Sequence, residues 1–452
     1  MINNLNIKLN QEYKVKCISI NNYAKGVAKI DSFLVFVDNL YPSEEALIKI
    51  TELHKNYAFG EVIKYLSLNP NRIDDECNHS HSSGSCPFNN ITLEYENELK
   101  SEMVRLNVER ALNKKIDKID VLYAEPLKGY RNKVTAFYDQ DYDFGYFREG
   151  THNIEKLNSC IQISSEILKV LNDLSLILKK NKTPIFNYKT NTGLFKGASI
   201  RRSTYNNLMS VMFLVTKDDE TFKDISYGLK ELNDDISSVS LSIDKGDNTH
   251  VYSDNEKVIF GNPSITEKIL DNLFIISNNS FLQVNTKGAE LLYSEAIKMA
   301  ELKKSDTVLD LYSGAGGISL SLAKNVKEVI GIEVVESAVK SAECNKELNS
   351  INNVYFYNDD ASNFKNILGS KRIDILFVDP PRSGLKLDVI SNIISLSPNK
   401  IIYVSCDSYT MARDIKLLSM SGFELKDIKC VNMFLRTKHV ETVCLLTLKN
   451  QK

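Results

Sequence analysis

The spacing of hydrophobic residues changes character twice along the chain. From about Glu12 to Ser67, apolar and polar residues alternate in short runs separated by turn residues, as in Phe33–Val37. Alternation with a period of two is typical of half-buried strands, so this segment predicts a small antiparallel barrel. The sequence Asn69-Pro70-Asn71-Arg72 interrupts the pattern and marks the end of the barrel.

A middle segment mixes helical and strand-like patterns. Residues 73–90 are rich in Ser, Asn, His and Gly, which is typical of a loop. Apolar residues then recur at helical spacing from Glu94 to Leu112, and strand-like runs follow at Lys133–Phe137 and Phe144–Phe147. This part of the chain therefore predicts an α+β domain.

After about Leu273, short strands alternate with helices, which is the signature of a parallel sheet. The predicted strands are Val308–Leu311, Val329–Glu333, Val354–Tyr357, Ile375–Val378 and Ile401–Ser405. The pattern as a whole predicts a multidomain α/β protein, with a small β-barrel over residues 1–68, an α+β domain over 69–275 and a Rossmann-like domain over 276–452.

Composition narrows the class of protein. Of the 452 residues, 43% are hydrophobic and 25% are charged, as in an ordinary soluble globular protein. The 56 Lys+Arg nearly balance the 58 Asp+Glu, so an anionic partner would have to meet a local basic patch. No apolar run approaches the roughly 18 residues of a membrane span, and residues 1–11 lack the apolar core of a secretory signal. We therefore expect a cytosolic monomer without a membrane partner.

A glycine-rich loop, residues 310–317, follows the first strand of the predicted parallel sheet. Glycine lets the backbone approach a nucleoside closely, although a tight strand-to-helix turn needs glycine as well. Glu333 ends the second strand, where a carboxylate can accept hydrogen bonds from ribose hydroxyls, and Asp360 follows the third, near the adenine edge. Taken singly, each acid is explained equally well as a solvated strand end. Together they favour S-adenosylmethionine over a dinucleotide, because no second glycine cluster or arginine is present for a pyrophosphate, and we predict Glu333, Asp360 and Gly317 as cofactor-binding residues.

Two further strand ends carry candidate catalytic groups. Asp379 precedes Pro380-Pro381-Arg382, and the prolines fix the turn that holds its carboxylate at the sheet edge. Cys406 ends the fifth strand; a lone cysteine is more often a buried small hydrophobe, but this one lies at the ligand-binding edge between polar neighbours. Glu441, at the start of a later strand, could complete an acid/base pair with the thiol.

These segments resemble the RNA (uracil-5-)-methyltransferase family. Residues 12–67 resemble the OB-like TRAM barrel of its 23S ribosomal RNA branch, and the C-terminal domain resembles a class I methyltransferase. The resemblance implies that Gln283, Tyr312, Glu333 and Asp379 bind S-adenosylmethionine, that Cys406 is the nucleophile and that Glu441 is the base. Ser408 and Leu435 stand in turns where the family usually has proline. The motifs that follow the family's order are 280–285, 310–314, 379–382, 404–406 with 410–414, and 439–443.

Covalent catalysis explains why these residue types are needed. Uracil C5 is a poor nucleophile, so a Cys406 thiolate that adds to C6 would activate C5 for methylation, and Glu441 would later remove the C5 proton. A free thiol has a pKa of about 8.5, so we expect Arg382 or hydrogen bonds to favour the thiolate. The target uridine must be unpaired or flipped out.

The expected partner is RNA, with 23S ribosomal RNA as the substrate and transfer RNA as the main alternative. A non-catalytic RNA-binding or RNA-folding module is a second hypothesis, and the retention of Cys406 and Glu441 argues against it. A small-molecule methyltransferase is a third hypothesis. The barrel and the large middle segment argue against this one, because a compact substrate needs neither.

The ribosomal branch often carries four cysteines that hold an iron–sulfur cluster. Here Cys77, Cys86 and Cys160 match three of them, one short of the usual ligation, and Ser83 takes the place of the fourth. We expect a [4Fe-4S] cluster to be lost or labile. The alternatives are that His79, His81 or Ser83 completes the ligand set, or that Cys and His residues bind zinc.

A stretch without acidic residues, from Asn181 to Lys217, is a candidate RNA contact. Basic side chains can pair with phosphates and aromatic rings can stack on unpaired bases, but alternation along strands would equally place the aromatic rings in the core. Tyr130-Arg131-Asn132-Lys133 is a second candidate. The residues of the stretch are Lys182, Phe186, Tyr188, Lys189, Phe195, Lys196, Arg201, Arg202, Tyr205 and Lys217.

Overall fold

The structure is a computed structural model of the chain, and it describes residues 7–75, 77, 84–148, 151–244, 252–253, 256–278, 280 and 282–449. In these ranges no helix is long and apolar enough to cross a membrane.

The N-terminal strands form a closed barrel in the order β1-β2-β3-β5-β4. Alternate residues point inward, so that Val35, Ile48 and Ala58 are fully buried and meet at the barrel centre. Closure leaves no unpaired strand edge. The predicted barrel is confirmed. Its strands are β1 (Glu12–Ile20), β2 (Gly26–Ile30), β3 (Phe33–Val37), β4 (Glu45–Leu53) and β5 (Tyr57–Ser67).

The middle of the chain forms a seven-stranded sheet in the order β13-β12-β11-β10-β7-β8-β9, with two helices packed against it. Leu171 and Leu174 of α2 and Phe222 of α3 share one core with Phe195 and Phe213 of the sheet. The elements are α2 (Ser165–Lys180), α3 (Thr221–Leu232), β7 (Lys133–Tyr138), β8 (Phe144–Phe147), β9 (Ile154–Lys156), β10 (Phe195–Arg202), β11 (Met209–Val215), β12 (Ile236–Ile243) and β13 (Glu256–Phe260).

The C-terminal sheet has eight strands in the order β18-β17-β16-β19-β20-β22-β21-β6. The strands from β16 to β20 are parallel, as predicted, and β22 runs antiparallel between β20 and β21. The strands are β6 (Val121–Leu122), β16 (Thr307–Leu311), β17 (Glu328–Glu333), β18 (Val354–Asn358), β19 (Ile375–Val378), β20 (Lys400–Ser405), β21 (Phe423–Val431) and β22 (Glu441–Leu448). The helices are α4 (Thr286–Ala300), α5 (Gly317–Leu322), α6 (Glu336–Leu348), α7 (Phe364–Leu368), α8 (Leu387–Leu396) and α9 (Ser408–Met420).

The structure divides residues 69–275 differently from the single domain that we predicted. Helix α1 (Leu93–Leu112) packs Val104 and Val108 against Met411 of α9, and β6 pairs with β21. A hairpin of β14 (Ser264–Ile269) and β15 (Asn272–Ser277) packs against α4. These elements belong to the C-terminal unit because their apolar faces complete its core.

Candidate active site

Five of the predicted site residues lie at one edge of the C-terminal sheet. The parallel strands β16, β17, β19 and β20 end at this edge, so Tyr312, Glu333, Asp379 and Cys406 follow them side by side. Strand β22 runs the other way and begins there with Glu441.

Strand register brings Cys406 and Glu441 near each other. Ser405 pairs with Thr442 at the end of the β20–β22 ladder, and Cys406 and Glu441 are the residues next to this pair. The Glu441 carboxyl is near enough to raise the pKa of Cys406. The Thr442 hydroxyl donates to the Ser405 carbonyl at 3.1 Å and fixes the two strand ends together.

Burial keeps protons on this pair. Desolvation, together with the nearby Glu441 and Asp379 carboxyls, raises the pKa of Cys406 to about 11, and Arg382 opposes the shift. Burial and Asp379 raise the pKa of Glu441 to about 8, and burial raises the pKa of Asp379 to about 6. Arg382 therefore acts in the direction we expected, but it is outweighed, and Cys406 is a thiol at neutral pH.

Helix α9 holds the turn that carries Arg382. The Thr410 hydroxyl donates to the Arg382 carbonyl at 3.0 Å. Gly384 has a φ of +74°, and a Cβ there would lie 2.6 Å from both Arg413 Nη2 and Asp414 Oδ2. Only glycine fits this approach without displacement, so Gly384 allows the turn to lie directly on the helix that follows Cys406.

The glycine-rich loop is fixed by the neighbouring strand. Tyr312 has a φ of +67°, and its backbone N–H donates to the Ile332 carbonyl at 2.9 Å. The N–H of Gly314 donates to Glu333 Oε2 at 3.1 Å. The loop therefore turns back over the sheet edge beside the Glu333 carboxylate.

Unpartnered polar atoms and open space lie at the same loop. Asp310 Oδ1 and Ser313 Oγ are buried without a hydrogen-bond partner, and a Cβ on Gly314 would meet no atom within 4 Å. Burial raises the pKa of Asp310 to about 7. Buried polar atoms are normally satisfied, so these two indicate a polar ligand, and the site fits a nucleoside cofactor. Asp310 and Ser313 were missed as site residues, although both lie in the loop motif.

Gln283 is positioned by the middle domain. Its backbone carbonyl accepts a hydrogen bond at 3.1 Å from Asn132 Nδ2, which also donates to the Thr286 hydroxyl at 3.0 Å. Asn132 follows β6 and precedes β7, so the Tyr130–Lys133 segment organises the loop that carries Gln283. Asn132 itself is buried.

Gly317 and Asp360, both predicted to bind the cofactor, lie close to other groups of the protein. Gly317 begins α5, and a Cβ there would lie 3.0 Å from the Tyr293 hydroxyl. Asp360 Oδ1 accepts from the Ser362 N–H at 2.9 Å, and Oδ2 pairs with Lys386 Nζ at 3.0 Å. The contacts with Ser362, and then the Lys386 ion pair, lower the pKa of Asp360 to about 2, so this acid is ionised.

Part of the basic stretch lies inside the middle domain, whereas Lys182, Lys189, Tyr205 and Lys217 are exposed. Arg201 is only 2% exposed and donates from Nη2 to the Ser280 carbonyl at 2.7 Å, while burial lowers its pKa to about 10. Phe186 and Phe195 are buried, and Lys196 pairs with Asp244. Of the two interpretations left open for this stretch, burial in the core is therefore the one that applies to Arg201, because strand β10 is buried on both faces.

The three cysteines of the predicted cluster lie near one another. Burial, then Cys160 and Cys77, raises the pKa of Cys86 to about 12. Cys86 Sγ accepts a hydrogen bond from Gln162 Nε2 at 2.9 Å. Among the residues with described positions, no group of three or more His, Cys, Asp or Glu is arranged to hold a metal ion. His79, His81 and Ser83 lie outside the described residues.

The parallel sheet with its glycine-rich loop is that of a Rossmann-like methyltransferase domain. Residues 94–449 match the model of the tRNA (Uracil-5-)-methyltransferase family, and residues 8–63 match the TRAM domain. The chain belongs to this family.

Two relatives and one solved structure are similar to this chain over nearly its whole length. An uncharacterized RNA methyltransferase of Lactobacillus johnsonii is 33% identical, over 97% of this chain and 98% of that protein. One of Streptococcus mutans is 32% identical, over 97% and 99%. The Pyrococcus abyssi tRNA (uracil-54, C5)-methyltransferase, solved with S-adenosyl-L-homocysteine, superposes with a TM-score of 0.77 at 24% identity and covers 96% of this chain and 100% of that one.

Family membership identifies the chain as an S-adenosylmethionine-dependent RNA methyltransferase. RNA is accordingly its class of substrate. The family resemblance predicted from the motifs is confirmed.

Proposed function

We propose that the protein methylates C5 of an accessible uridine in 23S ribosomal RNA through a covalent adduct on Cys406. The proposal is supported by the register of β20 and β22, whose last pair, Ser405 with Thr442, leaves Cys406 and Glu441 as the next residues at the sheet edge. A thiol and a carboxyl group in this arrangement can act as nucleophile and base.

S-Adenosylmethionine supplies an electrophilic methyl group when it is bound. The cofactor would be held at the sheet edge by Tyr312, Glu333, Gln283 and Asp379. Gly317 would allow helix α5 to approach the cofactor closely. Asp360 would lie at the adenine end. The buried, unpartnered atoms of the glycine-rich loop support this placement.

The chain's own groups move two protons and make and break one covalent bond. Cys406 gives its proton to solvent, and its Sγ bonds to C6 of the uracil, which places an electron pair on C5. Once C5 carries the methyl group, Glu441 takes the C5 proton, the C5=C6 bond forms again and the C6–S bond breaks. The thiolate leaves and is free for another cycle.

Arg382 and the neighbouring acids control this sequence. Arg382 lowers the pKa of both Cys406 and Glu441, whereas Asp379 raises both. Any positive charge that enters the pocket would add to the effect of Arg382 and favour the thiolate. The high pKa of Glu441 suits a group that must take a proton from carbon.

Ribosomal RNA is the proposed substrate because the barrel and the positions of Cys77, Cys86 and Cys160 resemble the ribosomal branch. Transfer RNA is the second candidate. The Pyrococcus abyssi protein, named for a transfer RNA uridine, shares the architecture across the whole chain, barrel included.

The covalent step is tested with RNA that contains 5-fluorouridine. Fluorine replaces the C5 proton, so Glu441 has nothing to remove and the Cys406 adduct persists. We expect a protein–RNA complex that survives denaturing electrophoresis with the wild type and is absent with Cys406→Ala. Cys444→Ala, which removes a buried thiol of the same sheet, is the matched control. A stable complex in Cys406→Ala would overturn the assignment of the nucleophile.

The substrate is tested by mass-spectrometric mapping of 5-methyluridine in cells with and without the gene. Loss at a position of 23S ribosomal RNA is the expected result. Loss confined to transfer RNA would keep the chemistry and overturn the substrate, and no change in either RNA would contradict the proposed function.

A further inference from the structure

An exposed tyrosine of the barrel lies beside the segment that carries Glu441. Tyr23, in the loop between β1 and β2, is 67% exposed. Lys438 Nζ lies 5.3 Å from the centre of the Tyr23 ring. Because Lys438 is close to Glu441 in sequence, the barrel reaches the rim of the candidate active site.

The loop that carries Tyr23 is held in place. Asn21 Oδ1 accepts from the backbone N–H of Tyr23 at 2.9 Å and of Lys25 at 3.0 Å. Ile20 and Ala24 are buried in a cluster shared with helix α1. The backbone is therefore fixed while the ring of Tyr23 projects outward.

A second contact joins this loop to the turn after Cys406. Asn107 of α1 is only 7% exposed, and its Nδ2 donates to Asn22 Oδ1 at 3.1 Å and to Ser408 Oγ at 2.8 Å. Ser408 is the first residue of α9, two positions after Cys406. The Tyr23 loop thus contacts the segments that carry both residues of the pair. It reaches the turn after Cys406 through Asn107 and Ser408, and the segment before Glu441 through Lys438.

The rim around this pair combines aromatic rings with cations. Tyr409, in the first turn of α9, is 60% exposed, and Arg382 is exposed nearby. Together with Tyr23 and Lys438 they offer ring faces for stacking and positive charge for phosphates. This chemistry matches single-stranded nucleic acid.

We propose that Tyr23 stacks on an unpaired nucleotide next to the target uridine, while Lys438 contacts the RNA backbone. The proposal rests on the proposed function, because it assumes that the uridine enters at Cys406 and Glu441. Flipping a uridine out of a stack leaves its neighbours without a stacking partner. The ring of Tyr23 would replace that partner, so the barrel takes part in positioning the substrate.

Binding of a fluorescein-labelled single-stranded oligouridine of about 12 nucleotides tests the contact directly. Stacking on one aromatic ring is worth about 5- to 100-fold in affinity. We expect Tyr23→Ala to weaken binding within that range and Tyr23→Phe to bind like the wild type, because the ring remains. Tyr355→Ala is the matched control, since Tyr355 is 47% exposed on β18, away from the β20–β22 pair. Binding by Tyr23→Ala within twofold of the wild type would overturn the proposal.

Salt dependence separates stacking from charge. Tyr23→Ala removes no charge, so the slope of log affinity against log salt should stay that of the wild type. Lys438→Met should lower the slope by about one phosphate contact. A changed slope in Tyr23→Ala, or an unchanged slope in Lys438→Met, would contradict the assignment of these roles.

Turnover on 23S ribosomal RNA distinguishes this proposal from the proposed function. If the wild type forms no 5-methyluridine, the proposed function fails, whereas a loss of oligouridine binding in Tyr23→Ala would still support stacking. If the wild type methylates RNA, we expect Tyr23→Ala to raise KM more than it lowers kcat. Equal kcat/KM in Tyr23→Ala and wild type would overturn the stacking role alone.

Discussion

Cys406 and Glu441 both carry a proton near neutral pH, and the proposed nucleophile is the weaker acid. Their pKa values of about 11 and about 8 have the same main cause, the removal of the charged forms from water. Because the two groups also interact, they titrate as a pair. The reactive thiolate is therefore a minor species until the environment of the pair changes.

This pairing predicts a rate that rises with pH. The proposed steps require a deprotonated Cys406 and then a deprotonated Glu441, and both forms increase as pH rises through about 8. We expect kcat/KM to increase between about pH 7 and pH 9, measured by initial rates of 5-methyluridine formation. In Glu441→Gln the covalent RNA adduct should accumulate on ordinary uridine, because the C5 proton is no longer removed. A flat profile in the wild type would contradict the assigned protonation states.

Gly384 offers a test of how the Arg382 turn is positioned. Gly384→Ala should destabilise the protein by about 2 kcal/mol, because alanine is disfavoured at a φ of +74° and its Cβ would contact Arg413 and Asp414. The free energy of unfolding in urea measures the loss. Turnover should also fall, since Arg382 would move.

The control for this substitution is Gly369→Ala. Gly369 also has a positive φ, but a Cβ there would meet nothing within 4 Å. Gly369→Ala should lower the free energy of unfolding without lowering turnover per folded molecule. Equal turnover in both variants would show that the turn tolerates displacement.

The sequence predicted residues that lie in motifs, but not those defined by distant contacts. Cys406 and Glu441 could be named because each follows or begins a recognisable strand. Asn107 could not, since its partners Asn22 and Ser408 are far away along the chain. The burial of Arg201 could not be decided from the sequence, because basic and aromatic residues along a strand fit a surface patch and a core equally well, and only the structure shows that β10 is buried on both faces.

At the scale of the elements, helix α1 buries an ion pair between Lys100 and Glu96. Lys100 is fully buried and donates to Glu96 Oε1 at 2.8 Å, to Asn432 Oδ1 at 2.7 Å and to the Phe434 carbonyl at 3.2 Å. Glu96 in turn accepts from the Arg436 backbone N–H at 2.9 Å. The helix thus binds the turn that leads to Glu441, in which Leu435 stands where the family usually has proline.

Removing one partner of this network should be costly. Lys100→Met leaves the Glu96 carboxylate buried without its lysine, and we expect a loss of about 3 kcal/mol in the free energy of unfolding, measured in urea. The double variant Lys100→Met with Glu96→Gln should recover only part of this loss, because the buried carboxylate is removed but Arg436, whose Nη1 lies 3.4 Å from Glu96 Oε2, loses its ion pair. A double variant less stable than Lys100→Met would argue against the ion pair as the cause.

Long periodic elements were predicted from the sequence, whereas short or shared ones were not. The five parallel strands appear where expected, and the apolar runs of four of them, β16, β17, β19 and β20, are buried on both faces. Strand β6 has two residues, too few for any pattern, and it is defined by pairing with β21. The β14–β15 hairpin alternates like a strand of the middle domain, and only its packing on α4 assigns it to the C-terminal unit.

At the scale of the whole molecule, the barrel is joined to the catalytic edge by few polar contacts. Asn107 holds the barrel loop at Asn22 and the turn at Ser408 with the same amide group. Ser408 occupies the first position of α9, where proline is well tolerated because its N–H has no helical partner. The hydrogen bond from Asn107 to Ser408 therefore fixes the turn that a proline ring at this position would fix covalently.

A double-mutant cycle tests this equivalence. Asn107→Ala should lower kcat by about 3- to 10-fold, because the Ser408 turn loses a hydrogen bond to a buried group. Ser408→Pro should restore most of kcat in the Asn107→Ala background, since the proline fixes the turn by itself. RNA affinity should stay reduced in both, because the tie to the barrel is not restored. Strictly additive effects on kcat would contradict a shared role.

The position of β22 has a consequence for synthesis of the chain. Strand β20 and Cys406 leave the ribosome before β21, and β22 must then insert between two strands that already exist. Until Glu441 arrives, Cys406 lacks its proposed base and one side of β20 has no partner. On the proposed mechanism, a nascent chain that already holds its thiol cannot complete a methylation, and it gains that ability only when β22 closes the sheet.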